Sequence, residues 1–212
     1  MITESPGAKS STIIAVAVAV GILAMGAGLW FSGQGQAPQE LRATALYPEP
    51  RSIEPFELIG MDGGAFGLEA LQGEWDLVFF GFTHCPDICP NTLGVLRDAN
   101  GLLAERGIAP PRVTLISVDP ERDDPEVMGQ YVTFFDESFR AATGEPEALA
   151  RFALDLGAAF FVEEHEPGDL DYTVDHSAGV MIVDPAGRLR GQLRPPPDPE
   201  AFADDLARLM AG

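Results

Sequence analysis

The chain has only two cysteines, Cys85 and Cys89, and they are four positions apart. They follow an apolar run from Trp75 to Phe80. Residues four apart are neighbours on a helix, so a helix that begins here would bring both sulfurs to one face of its first turn. A helix N-terminus also stabilises negative charge and so favours the thiolate form. The spacing predicts either a metal clip or a reversible disulfide.

A purely structural disulfide explains this pair poorly. A bridge between Cys85 and Cys89 would close a loop of only a few residues, and the stabilisation gained from a cross-link shrinks with loop length. Four-residue spacing on a helix places the Cα atoms roughly 6 Å apart, which a disulfide can span. Oxidation in place is therefore allowed, and the reduced thiols are available as ligands.

The supply of ligands narrows the choice of metal. Two thiolates favour Cu(I), Zn or an iron–sulfur cluster over hard cations. Clusters usually need four cysteines and structural zinc sites normally have four protein ligands, whereas this chain has 2 Cys and 3 His. Copper accepts a mixed sulfur and nitrogen set with fewer ligands. We therefore predict copper.

A third ligand has to come from a histidine. His84 adjoins Cys85, and adjacent side chains on a turning backbone tend to point apart. His165 lies in a polar loop and is expected to be a solvated surface residue. His176 stands just before an apolar run that begins at Val180, in a loop that could meet the loop carrying the cysteines. Spacing alone does not decide whether His176 is a metal ligand or an ordinary loop histidine.

A metal-bound histidine usually has a partner that fixes its tautomer. For His176 the sequence offers Asp175, Asp87 or a backbone carbonyl. Capping and turn formation are the alternative roles of the two aspartates.

The elements that must position these residues alternate between strand-like and helix-like runs from Phe56 onward. The predicted strands are 56–59, 75–80, 113–118, 139–143, 159–162, 180–183 and 188–193, and the predicted helices are 91–106, 125–135, 145–156 and 199–210. Such alternation predicts an α/β domain with a central mixed sheet flanked by helices. Reactive loops then lie at the carboxyl ends of parallel strands, and Cys85 follows such an end.

A long apolar segment precedes this domain. Residues 13–31 are apolar or glycine and carry no charge, which matches the roughly 20 residues needed to cross a membrane. We predict a short tail at 1–12, a transmembrane helix at 13–31, a flexible tether at 32–50 and a globular domain at 51–212. A cleaved signal peptide is the alternative, and the absence of a nearby cysteine excludes a lipoprotein anchor.

The chain is strongly acidic, with a formal net charge of −20 at pH 7. Only Glu4 and Lys9 are charged ahead of residue 32, so the remainder keeps that full charge. Nucleic acid and anionic lipid surfaces are therefore poor partners for the domain. Acidic solubility is the simpler explanation, and steering toward a basic partner or a cation is the alternative.

The segment Phe80-Gly81-Phe82-Thr83-His84-Cys85-Pro86-Asp87-Ile88-Cys89-Pro90 resembles the signature of the Sco/SenC family of membrane-anchored copper proteins. The resemblance extends to residues 117–123, 143–144 and 171–177, and it covers most of the chain from residue 56 to residue 210. Several separated motifs in the same order make it specific, whereas Cys-x3-Cys alone would be weak.

This resemblance implies a thioredoxin-like fold with an inserted segment and one copper, Cu(I) or Cu(II), bound by Cys85, Cys89 and His176. It implies an inner-membrane protein, anchored through residues 13–31, whose soluble domain faces the periplasm. The implied role is to deliver copper to the dinuclear copper site of cytochrome c oxidase subunit II, to reduce the cysteines of that site, or both. Other copper chaperones or thiol reductants are expected as further partners.

Two other functions stay open at this point. One is a thiol-disulfide oxidoreductase that cycles Cys85 and Cys89 without a metal. The other is a copper or redox sensor that acts through a signalling partner. Whether the chain is an enzyme depends on which of these functions it has.

Overall fold

The computed structural model describes residues 21, 41–166, 168–194 and 198–211. Apart from Gly21, the predicted transmembrane helix at 13–31 lies outside these residues, as do the predicted tail and residues 32–40 of the predicted tether. Among the described residues, no helix combines the length and apolar character that crossing a membrane requires. The segment Leu41–Gly212 is a compact unit by itself.

The elements of this unit follow one another in an order close to the predicted one. Within the described residues they are β1 (Thr44–Ser52), β2 (Glu57–Gly60), β3 (Ala65–Gly67), a 3₁₀ turn (Leu68–Leu71), β4 (Asp76–Gly81), α1 (Ile88–Glu105), β5 (Arg112–Ser117), α2 (Pro125–Phe135), β6 (Arg140–Thr143), α3 (Pro146–Leu156), β7 (Phe160–Val162), β8 (Val174–His176), β9 (Val180–Val183), β10 (Arg188–Leu193) and α4 (Pro199–Ala211).

Most of the strands form one mixed sheet in the order β1-β10-β9-β4-β5-β6-β2-β3. β4, β5 and β6 are parallel neighbours, whereas the other pairs in this sheet are antiparallel. β7 and β8 pair with each other in a separate two-stranded ribbon. The predicted central mixed sheet flanked by helices is confirmed.

β4 lies inside the sheet and is buried along its whole length. Its alternate side chains point to opposite faces, as the strand geometry requires. Leu77 and Phe79 pack in the core that α1, α2 and α4 cover, and Val78 and Phe80 pack in the core that α3 covers. The carboxyl end of β4 is therefore held from both sides, and the loop with the cysteines starts there.

β1 corrects the predicted tether at 32–50. Residues 44–52 pair with β10, so the domain begins before residue 51. This strand forms an edge of the sheet, is mostly exposed and contains Pro48 and Pro50. Edge strands tolerate proline and need no regular apolar alternation, which is why the sequence pattern did not indicate a strand. The short elements β3, β8 and the 3₁₀ turn were also not predicted.

Candidate metal centre

Cys85 lies in the loop between β4 and α1, because the helix begins only at Ile88. This corrects the prediction that both cysteines share the first helical turn. Pro86 follows Cys85, and a residue before proline is disfavoured in the helical conformation. The two sulfurs still lie within 4.8 Å of each other, and the amide of Cys89 donates a hydrogen bond to Cys85 Sγ at 3.5 Å. Cys85 Sγ thus accepts one of the free N–H groups at the start of α1.

Cys89 is in the first turn of α1 and its side chain is fully buried. Gly81, at the end of β4, leaves room for it: a Cβ at position 81 would lie 2.7 Å from Cys89 Sγ. Burial raises the pKa of the Cys89 thiol, because loss of hydration outweighs the hydrogen bond from the backbone of Phe82. The expected stabilisation of a thiolate by the helix N-terminus is therefore wrong for metal-free Cys89, which is a neutral thiol.

His176 stands at the end of β8 and is partly buried, with Nε2 3.3 Å from Cys89 Sγ. Its other ring nitrogen, Nδ1, lies 3.1 Å from the carbonyl oxygen of Ser177. A carbonyl only accepts, so Nδ1 carries the hydrogen and Nε2 presents its lone pair toward the sulfur. Phe79 and Phe82 meet the imidazole edge-on, each with centroids 5.9 Å apart. Burial lowers the pKa of His176, which keeps the ring neutral.

Of the three groups proposed to fix this tautomer, the backbone carbonyl is the one in place. Asp175 and Asp87 have exposed side chains, and Asp87 makes no side-chain hydrogen bond that would cap α1.

The other two histidines are not part of the group of ligand atoms that the two cysteines form with His176. His84 is exposed, and its Nδ1 is 3.1 Å from Thr83 Oγ1. His165 does not stand free in solvent as expected, because its ring stacks on Tyr172 with centroids 3.7 Å apart.

In the part of the chain that the structure describes, the group with metal-binding geometry is Cys85, Cys89 and His176. One ligand atom from each lies within 4.8 Å of the other two. Bonds of about 2.0–2.3 Å to nitrogen and sulfur place three ligands of one metal roughly 4 Å apart. A small side-chain adjustment therefore suffices for a shared ion, and two sulfurs with one imidazole are a donor set that suits copper.

A buried carboxylate fixes the loop that carries Cys85. Asp123 is fully buried and accepts hydrogen bonds from the amide of Thr83 at 2.9 Å and from its hydroxyl at 2.5 Å. It also accepts from the hydroxyl of Ser117, the last residue of β5, at 2.5 Å. The motif at 117–123, which the sequence offered only as part of a resemblance, therefore ties the loop after β4 to the loop after β5.

Tyr131 on α2 is a polar residue of this region that sequence reasoning missed. Its hydroxyl is buried and has no hydrogen-bond partner among the described residues. Burial raises its pKa, and negative charge on Cys89, Cys85 or Asp123 raises it further. The available signal was its place three residues after the buried Met128, on the apolar stripe of the predicted helix.

Comparison with known proteins gives consistent similarities. The family described as SCO1/SenC matches residues 45–211. The human protein named "Protein SCO2 homolog, mitochondrial" is 31% identical over 212 residues, which cover 98% of this chain and 78% of the human protein.

Two solved structures are similar over most of their lengths. Arabidopsis thaliana ScoI with copper bound has a TM-score of 0.69 and 32% identity, covering 74% of this chain and 97% of the plant chain. Apo Sco1 from Thermus thermophilus, solved in solution, has a TM-score of 0.71 and 33% identity, covering 82% of this chain and 99% of the other.

Proposed function

The chain belongs to the SCO1/SenC family, and from this membership and the geometry of its cysteines we propose that it binds copper and acts in the assembly of cytochrome c oxidase. The observation that carries the proposal is the approach of two sulfurs and one imidazole, each offering a ligand atom within 4.8 Å of the others. The copper-bound plant relative supports the choice of metal.

The three ligand residues contribute different atoms to copper binding. Cys85 and Cys89 supply sulfur, and His176 supplies Nε2, whose orientation the carbonyl of Ser177 maintains. Because burial raises the pKa of Cys89, its thiol proton has to leave when the metal binds. Copper affinity should therefore rise with pH and fall on acidification.

The partial exposure of Cys85 favours transfer of the metal to a partner protein. Cys85 is partly exposed, whereas Cys89 is buried. An acceptor cysteine can therefore approach the metal beside Cys85 while both sulfurs of this chain still hold it. We propose the dinuclear copper site of cytochrome c oxidase subunit II as the acceptor, and other copper chaperones as the donors.

Thiol-disulfide exchange is a second candidate, which the approach of the two sulfurs also favours. The thiolate of Cys85 would attack a disulfide in the partner, forming a mixed disulfide and releasing one partner thiol. Cys89 would then displace the second partner thiol, leaving a Cys85–Cys89 disulfide and two reduced cysteines in the partner. A thiol reductant would restore the pair.

The segment at 13–31 supports a further part of the proposal, a single-span anchor in the inner membrane that leaves the domain in the periplasm. The test compares the full chain with a chain lacking residues 13–31 after alkaline extraction of membranes. The full chain should stay with the membrane and the shortened one should be released. Release of both would contradict the anchor.

A copper titration of the reduced protein tests the metal site. The wild type should bind about one copper, and Cu(II) should show nitrogen hyperfine coupling from the imidazole. His176→Ala should lose that coupling and weaken binding by roughly tenfold or more. His84→Ala is the matched control and should bind like the wild type, because His84 lies outside the ligand group. Equal behaviour of the two variants would contradict the site.

Deletion of the gene separates the functional classes. Loss of oxidase activity that added copper restores supports delivery of the metal. Loss that copper does not restore, together with full rescue by His176→Ala, supports thiol reduction without a metal. Normal oxidase activity with altered transcription would indicate a sensor.

A further inference from the structure

His176 stands on a weak part of the fold. It ends β8, which pairs only with β7 among the described strands, and each of these strands has three residues. A two-stranded ribbon is marginally stable by itself in water, and in β8 only Val174 is buried in the core, with Phe160 and Val162 of β7 packed against that core. The position of the imidazole therefore depends on what holds the chain that leads into β8.

A buried arginine holds that chain. Arg122, in the loop between β5 and α2, has a side chain that is only 5% exposed. Its Nη1 donates hydrogen bonds to the carbonyl oxygens of Leu170 at 3.1 Å and Tyr172 at 3.0 Å. Its Nε donates to the carboxylate of Asp119 at 2.5 Å. One guanidinium thus joins the loop after β5 to the segment that enters β8.

Aromatic contacts extend this link to both halves of the metal centre. The guanidinium carbon lies 3.8 Å from the ring centroid of Tyr172 and 5.5 Å from that of Phe82. Phe82, in turn, meets the ring of His176 edge-on. Arg122 therefore contacts the loop that leads to Cys85 as well as the segment that leads to His176.

The phenol of Tyr172 closes the arrangement by donating a hydrogen bond to Asp119 at 2.5 Å. Asp119 is 1% exposed and Tyr172 is 7% exposed, so these charge-assisted bonds are shielded from water. Nη2 of Arg122 is buried without a hydrogen-bond acceptor among the described residues. Lysine cannot reproduce this contact, because it lacks both the planar fork and the stacking face.

We propose that Arg122, held by Asp119 and Tyr172, is a positioning residue that sets the distance between the imidazole of His176 and the two cysteine sulfurs. It thereby decides whether copper is held by three ligands or by the two sulfurs alone. The proposal rests on the copper-binding function proposed above. Cu(II) binding needs the imidazole nitrogen more than Cu(I) binding does, because thiolates are sufficient for the softer ion.

The test uses Arg122→Lys, with Arg140→Lys as a matched control. Arg140 is also paired with a buried carboxylate, Asp76, but this pair lies at the other end of β4 from the metal centre. Arg122→Lys should weaken Cu(II) binding by about 10- to 100-fold, the usual cost of removing a partner outside the ligands. Cu(I) affinity should change by no more than about threefold. The nitrogen hyperfine coupling should weaken, and Arg140→Lys should leave all three readouts unchanged.

A double-mutant cycle adds a sharper criterion. In the His176→Ala background, Arg122→Lys should have no further effect on Cu(II) affinity, because the residue that it positions is absent. Full additivity of the two changes would overturn the proposal. So would an Arg122→Lys protein whose affinities and hyperfine coupling match those of the wild type.

Hydrogen exchange on the metal-free protein separates this proposal from the copper function. Arg122→Lys should speed amide exchange in residues 170–177 and leave α1 protected. If the wild type bound no copper but amide exchange in residues 170–177 still became faster in Arg122→Lys, the copper function would fail and the positioning role would stand.

If Arg122→Lys does not fold, Tyr172→Phe replaces it. This variant keeps the stacking of the ring on the Arg122 guanidinium but loses the hydrogen bond to Asp119. It should show the same changes in copper affinity and amide exchange, but smaller ones. No change in exchange at 170–177 would overturn the proposal.

Discussion

The candidate metal centre has a cysteine side, with Cys85 and Cys89, and a histidine side, with His176, and different elements of the fold support them. The cysteines stand between β4, a fully buried strand of the main sheet, and the first turn of α1. His176 stands on a two-stranded ribbon whose residues Phe161 and Asp175 are exposed. Cys89 is therefore placed by the core of the domain and Cys85 by a loop that Asp123 holds, whereas the imidazole depends on a short ribbon, of which Val174 reaches the core, and on contacts between loops.

This difference in support indicates how one site can both bind a metal ion and release it. Two sulfurs held in fixed positions bind a soft metal ion tightly. A histidine on a weaker element can move away at a smaller cost in free energy, because local opening is cheapest where few buried contacts are lost. The imidazole is therefore the ligand most suited to open first when copper leaves.

The largest expected effect tests the cysteine side directly. Cys89→Ser should lower Cu(I) affinity by roughly 100-fold or more, because it removes a ligand rather than a supporting partner. The loss should exceed that of His176→Ala when both are measured by competition with a chelator of known affinity. A smaller loss for Cys89→Ser than for His176→Ala would reverse the comparison between the two sides.

The packing of β4 against Cys89 gives the next effect. In Gly81→Ala the new Cβ would lie 2.7 Å from Cys89 Sγ and 3.1 Å from Leu115 Cδ1. Overpacking of this kind costs about 1–3 kcal/mol, which urea unfolding of the metal-free protein measures. The control is Gly94→Ala inside α1, where a Cβ meets nothing within 4 Å. It should raise the free energy of unfolding by up to about 1 kcal/mol.

If both glycine variants changed stability equally, the cysteine side would be less tightly packed than the distances indicate. If only Gly81→Ala lost stability but retained copper affinity, the sulfur would have moved without loss of the site.

The cysteine side could be predicted largely from the sequence. The apolar run before Cys85 indicated a buried strand, and β4 confirms it. Helix α2 has the predicted bounds, Pro125–Phe135, because Asp124 caps it and proline occupies its first turn. These signals are local, since each depends on residues within a few positions of one another.

The histidine side could not be predicted in the same way. β8 has three residues, too few for a period-two pattern, and so His176 was expected in a loop. The contacts of Arg122 with Leu170 and Tyr172 join residues 48 and 50 positions apart. No local pattern encodes such contacts. Sequence position favoured His176 among the three histidines, but only the resemblance to a known family made it an expected ligand.

One substitution made on both sides should change stability in opposite directions. Tyr131→Phe, beside the cysteines, removes a buried hydroxyl that has no partner among the described residues and should raise the free energy of unfolding by up to about 1 kcal/mol. Tyr172→Phe, on the histidine side, removes the hydrogen bond to Asp119 and should lower it by about 1 kcal/mol or more. Unfolding by urea in metal-free protein measures both.

A loss of stability in Tyr131→Phe would show that its hydroxyl has a partner, such as an ordered water. The two sides would then be alike in their polar contacts, although they differ in their backbone support.

The smallest expected effect is a pH dependence confined to the histidine side. The Nδ1–H of His165 donates to the carbonyl of Glu163 at 2.8 Å, and Nε2 lies 3.1 Å from the carboxylate of Glu121. Both nitrogens face acceptors, so these contacts raise the pKa of His165, the carbonyl contributing most. Because the folded pKa is raised, the stabilisation is complete below about pH 6.5, the ordinary value. It is lost as pH rises through the folded pKa.

Titration followed by NMR should therefore give His165 a midpoint above 6.5, and Glu121→Gln should lower that midpoint. The same titration should shift the amide signals of residues 170–172, because His165 stacks on Tyr172, and leave those of α1 in place. Equal shifts in α1 would mean that protonation of His165 affects the cysteine side and the histidine side of the metal centre together. In that case the separate placement of thiols and imidazole, and with it the early release of His176, would be wrong.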